Sequence, residues 1–113
     1  MSQITTHILD TTLGKPAADV PVKLTQLTAD GYWHSLAEGT TNADGRVADL
    51  LPKDTVLPTG IYKMTFYTEG YFLTQNRPCF YPVVEIQFNL SDNSHYHIPL
   101  LLSPFGYSTY RGS

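Results

Sequence analysis

The chain has 113 residues, enough for one domain that buries a core without disulfides or a structural metal. Charged residues make up 15% and aromatics 12%, with eight glycines and eight prolines, which excludes a disordered segment and suits short strands joined by turns. A net charge of -3 without a Lys/Arg cluster argues against nucleic acid, whose binding rests on phosphate neutralisation, and the single cysteine, Cys79, leaves no internal disulfide.

The opening Met1 to Asp10 has no basic region and no long apolar run, and no window reaches membrane-spanning length, so a cytoplasmic protein is expected. Ile4, Thr6 and Ile8 alternate with Thr5, His7 and Leu9, which predicts a strand. Asp10 to Pro16 interrupts it with turn chemistry. Val20, Val22 and Leu24 against Pro21, Lys23 and Thr25 give a second strand. After the Asp30-Gly31 hairpin signal, Tyr32 to Thr41 pairs back as a third. The polar turn Thr41-Asn42-Ala43-Asp44-Gly45-Arg46 places Arg46 at the start of another short strand, and Leu51 to Pro58 is a Pro-punctuated loop.

Gly60 to Thr68 sets Tyr62, Met64 and Phe66 against Lys63, Thr65 and Tyr67, a further strand. Glu69 to Arg77 is the one place for helix, of one or two turns. Val84, Ile86, Phe88 and Leu90 alternate with Glu85, Gln87 and Asn89. The Ser91-Asp92-Asn93-Ser94 turn then leads into a final hairpin. Seven or eight short strands, with turns about every 8–12 residues, predict an all-β antiparallel sandwich in a single domain.

On the penultimate strand Tyr96, Ile98, Leu100 and Leu102 form the core face, so His95, His97, Pro99 and Leu101 point away from it. His7 likewise faces off the core if Ile4 and Ile8 face in. Two strands from opposite ends of the chain thus each place a histidine on an outer face. Apolar Pro99 and Leu101 beside them suggest a self-associating surface. Solitary surface histidines are also common, and so is an exposed Arg such as Arg46 in a loop. His95-x-His97 with His7 has the spacing of a zinc site, but no cysteine or acid clearly completes it. There is no Gly-x-Ser-x-Gly elbow and no acidic pair. Cys79, between Pro78 and Phe80, reads as packing. These residues by themselves stop at a sandwich with a possible histidine site.

Three separated motifs and the terminal tetrapeptide carry a resemblance. They are Thr6-His7-Ile8-Leu9-Asp10 with Gly14-Lys15-Pro16-Ala17; Thr41-Asn42-Ala43-Asp44-Gly45-Arg46; and His95-Tyr96-His97-Ile98-Pro99-Leu100-Leu101-Leu102-Ser103-Pro104, with Tyr110-Arg111-Gly112-Ser113 at the end. Together they resemble the 5-hydroxyisourate hydrolases, the transthyretin-related enzymes of urate breakdown. The resemblance spans Ile4 to Ser113. It implies a transthyretin-like sandwich of two four-stranded sheets with one short helix, assembled as a homotetramer with active sites between paired dimers. It also implies hydrolysis of 5-hydroxyisourate without a cofactor or metal. His7, Arg46, His97 and Ser113 match the family's catalytic positions. Tyr110, Arg111 and Gly112 join His7, Arg46 and Ser113 in substrate binding. A transthyretin-type hormone carrier, a zinc hydrolase using His7, His95 and His97, and a purely structural module are the competing readings.

Overall fold

Alternation of apolar and polar side chains becomes strand wherever the apolar set finds a second layer to pack against. The computed structural model describes residues 2–113. Its elements in chain order are β1 Ile4–Asp10, β2 Lys15–Pro16, β3 Pro21–Leu27, β4 Trp33–Thr40, β5 Gly60–Tyr67, α1 Glu69–Leu73, β6 Val83–Leu90, β7 Tyr96–Ser103 and β8 Gly106–Thr109. They form two four-stranded sheets, ordered β2-β1-β7-β8 and β4-β3-β5-β6. The core lies between them. Ile4, Ile8, Leu100 and Leu102 from the first sheet meet Val22, Leu24, Tyr62, Met64, Phe66 and Val84 from the second, all buried. Each such aliphatic or Phe side chain contributes about 1.5–3 kcal/mol on full burial.

Three expectations change in detail. The sandwich is not wholly antiparallel, because β1 and β7 pair in parallel from Ile4↔Tyr96 to Asp10↔Leu102. Hairpin logic governs strands adjacent in sequence, whereas these two are separated by the whole second sheet. Lys15 and Pro16, read as turn, form the short β2 against Leu9 and Asp10. The helix stops at Leu73 rather than Arg77, with Asn76 in the left-handed region at φ 53°.

What lies beyond the helix has a separate task. The fully buried Asp10 carboxylate accepts hydrogen bonds from Arg77 Nη1 at 2.7 Å and Tyr71 Oη at 2.8 Å. The backbone N–H groups of Thr12 and Leu13 donate to its other oxygen at 3.1 Å each. Burial pushes this carboxyl up, but the hydrogen bonds and the Arg77 charge outweigh it and hold it below the ordinary carboxylate range. The end of β1 is thereby fixed to the helical segment.

The parallel register determines what the first sheet shows to the outside. Thr5 lies opposite His97, and Leu9 opposite Leu101, on the face away from the core.

Candidate active site

Two turns bring the remaining polar groups to that face. In the first, the Asn42 side chain accepts from the N–H groups of Asp44 at 2.9 Å and Arg46 at 3.1 Å. The Asn42 N–H donates to the Arg46 carbonyl at 2.8 Å, so the turn closes on itself. Gly45 then lies on β1: its carbonyl accepts the Ile8 N–H at 2.9 Å. A Cβ at Gly45 would sit 2.5 Å from the Ile8 carbonyl oxygen, and its φ of +74° is left-handed, so glycine is required twice over. Arg46 is therefore an isolated bridge partner of His7 rather than the start of a strand.

The second is the segment after β8. Gly112 bridges to His97, donating its N–H to the His97 carbonyl at 2.9 Å. A Cβ on Gly112 would lie 2.5 Å from His97 Cδ2, so only glycine lets the chain pass this close to the imidazole. Ser113 follows directly. It shares with Thr5, Arg46, His95 and His97 the wall of a cavity of about 310 Å³.

Both site histidines are biased towards the neutral form. Burial pushes the His7 imidazole below its ordinary range and the Arg46 charge adds to this; the Asp44 backbone acts in the opposite sense. His97 is lowered by burial first, then by Arg46, His95 and His7. Its Nδ1 lies 2.8 Å from the Thr5 hydroxyl, which also lies 2.8 Å from His95 Nε2. With Nδ1 engaged and Cδ2 covered by Gly112, the open edge of His97 is the one that carries Nε2. The cavity thus offers bases, a fixed cation and a hydroxyl, the parts that acyl transfer to water requires.

Arg46, His97 and Ser113 line one cavity, and His7 is bridged to Arg46 beside them. Gly112 is the platform for His97. Tyr110 and Arg111 lie elsewhere: they line a neighbouring cavity of about 300 Å³ that shares His97. Arg111 stacks its guanidinium 4.1 Å over the Tyr96 ring and donates to Ser94 Oγ at 3.4 Å. Among the described residues no group of three His, Cys, Asp or Glu is disposed to hold a metal ion.

Comparison with known proteins matches residues 4–112 to the model of the HIUase/Transthyretin family. The chain belongs to that family. It is 43% identical to 5-hydroxyisourate hydrolase 2 of Rhizobium meliloti (strain 1021), over 98% of this chain and 96% of the relative. The crystal structure of sea bream transthyretin in complex with thyroxine superposes with a TM-score of 0.91 at 36% identity, covering 98% of this chain and 95% of that one. Klebsiella pneumoniae 5-hydroxyisourate hydrolase gives 0.83 at 38% identity, covering 97% and 98%. The family fold thus spans hydrolases and a hormone-bound protein, and only the site separates them.

Within this family fold three residues at the site escaped the sequence reading. Thr5 looked like an ordinary strand residue, and Gly45 appeared only as part of a turn. His95 was weighed as a metal ligand. The available signal for Thr5 was its parity with His7, which puts both on the outer face. No pattern in the sequence reveals that it lies opposite His97.

Proposed function

We propose that this protein hydrolyses 5-hydroxyisourate, opening the six-membered ring to give 2-oxo-4-hydroxy-4-carboxy-5-ureidoimidazoline. The observation that carries this reading is the meeting of Arg46, His97 and Ser113 on the wall of one cavity, with His7 bridged to Arg46 beside it and both imidazoles biased to the neutral state. The hydrolase names of relatives such as the Rhizobium meliloti protein support it.

In this mechanism water attacks the acyl carbon bonded to the ring nitrogen. His97, with its open Nε2 edge, takes the proton of the water, and His7 and Ser113 orient that water. Arg46, permanently charged and forked, binds the substrate carbonyls and stabilises the oxyanion as it forms. The C–N bond then breaks and the nitrogen takes a proton from the imidazole. Tyr110 borders the ring from the adjoining cavity. Arg111, stacked on Tyr96, supports that wall.

The homotetramer belongs to the same proposal. Strands β6 and β8 end their sheets side by side and contribute to one shared cavity wall, with Val83 and Tyr107 exposed along those edges. Open edges of this kind are covered in stable folds, and a second copy would cover both at once. A cytoplasmic setting completes the reading.

The likeness to thyroxine-bound sea bream transthyretin favours a carrier as the second reading. A hydrophobic hormone calls for an apolar channel, and imidazole, guanidinium and hydroxyl groups suit it poorly. Mixing the protein with freshly generated urate oxidase product separates the two. Hydrolysis predicts accelerated ultraviolet decay and an enantiomeric bias in the downstream product. A carrier predicts decay at the spontaneous rate with no bias.

A further inference from the structure

A hydroxyl between two imidazoles is an unusual junction. Thr5 Oγ1 lies 2.8 Å from His97 Nδ1 and 2.8 Å from His95 Nε2. The hydroxyl has one proton, so it can donate to only one ring and must accept from the other. The two tautomers are therefore locked to each other. Of the two arrangements, the one with His97 donating from Nδ1 leaves the Nε2 lone pair free to take the proton of the attacking water, as the hydrolytic reading requires. Thr5 then donates to His95 Nε2.

His95 carries this chain out of the site. It lines the catalytic cavity and also a second cavity of about 290 Å³ on its far side, bordered by Gln3, Lys53, Asp54 and Asn93. Its ring lies near-parallel to that of His97, 6.4 Å centroid to centroid. The charged or titratable groups around the chain are Arg46 on the turn, His7 on β1, and Lys53 and Asp54 at the second cavity.

The geometry points to a proton-carrying chain, His97–Thr5–His95, in which Thr5 is a positioning residue that couples the site base to a second imidazole at the next cavity. This rests on the hydrolytic reading and deepens it. Water gives its hydroxyl to the acyl carbon and its proton to His97 Nε2. The Nδ1 proton passes to Thr5 Oγ1 while the Thr5 hydroxyl proton passes to His95 Nε2. His97 is left neutral with its proton on Nε2, and the positive charge rests on His95, displaced from the Arg46 site. When the C–N bond breaks, the released nitrogen takes the Nε2 proton. In the same movement His95 Nε2 returns its proton to Thr5 Oγ1 and Thr5 returns a proton to His97 Nδ1, so that His97 stays neutral and both starting tautomers are restored. Atoms and charge balance at each step.

The test combines nitrogen-detected histidine NMR of the free protein with kinetics on 5-hydroxyisourate. Wild type is expected to hold His97 as the Nδ1–H tautomer. Thr5→Val, which keeps the branched shape and removes the hydroxyl, should shift His97 towards Nε2–H. The same variant should lower kcat about tenfold or more with KM changed less than about threefold. Thr5→Ser should restore both the tautomer and most of kcat, and His95→Phe should lower kcat as Thr5→Val does. An Nε2–H tautomer in wild type, or an unchanged tautomer and kcat in Thr5→Val, would overturn the chain. If wild type does not turn over 5-hydroxyisourate at all, the hydrolytic reading and the proton-transfer role fail together. The NMR arm then still decides the tautomer coupling.

Discussion

His97 is held on three sides: by Thr5 at Nδ1, by Gly112 at Cδ2, and by its own strand backbone. In the proposed mechanism a base so oriented needs no reorganisation when water arrives. Gly112→Ala would force a Cβ to within 2.5 Å of His97 Cδ2, so either the ring or the tail must move. A displacement near 1 Å predicts a loss of about 100-fold in kcat/KM with the fold intact, checked by kinetics beside far-ultraviolet circular dichroism. The depressed pKa values of His7 and His97 give the pH dependence its sign. In the proposed mechanism His97 must be neutral to take the water proton and His7 neutral to orient the water beside Arg46, and the titration of both lies below the ordinary imidazole value of about 6.5. The acid limb of kcat/KM should accordingly fall below about pH 6.5, and a limb at higher pH would contradict the assignment.

The strands and turns differ in what they contribute. The last four residues use little of the core: they supply one bridge, one stacked Arg and parts of two cavity walls. Removing Tyr110 to Ser113 should abolish turnover while leaving cooperative unfolding close to wild type. A truncated protein of full activity would refute the role of the tail. Asp10 behaves oppositely. It touches no site residue but ties β1 to the helical segment through Arg77 and Tyr71. Asp10→Asn removes the buried charge that pairs with Arg77 and should cost about 3 kcal/mol, read as an earlier denaturation midpoint. Because its folded pKa is depressed, the Asp10 contribution is present in full above the unfolded carboxyl value of about 3.9 and is lost as pH falls through the lower folded value.

At the scale of the whole molecule, strand periodicity was readable wherever one face is buried. It marked the core of β1, β3, β5, β6 and β7 correctly, and it put His7 and His97 outside. It could not show the parallel pairing of β1 with β7, because nothing local records a partner some ninety residues away. Thr5 and His95 were hidden for that reason: their meeting exists only in the register. Arg46 was visible as a motif, but the self-closing Asn42 turn that aims it at His7 depends on a glycine approach to the Ile8 carbonyl. The fold is shared with a thyroxine-bound relative, so shape does not choose between carriage and catalysis. The proposed catalysis rests instead on the histidine and arginine cavity.

The most direct measurement follows ultraviolet decay of fresh 5-hydroxyisourate with wild type and with His97→Asn, side by side at neutral pH. Hydrolysis through His97 predicts strong acceleration by wild type and a loss of about 100-fold or more in the variant, at unchanged circular dichroism. Equal rates in the two proteins, or a wild-type rate no faster than spontaneous hydrolysis, would contradict it.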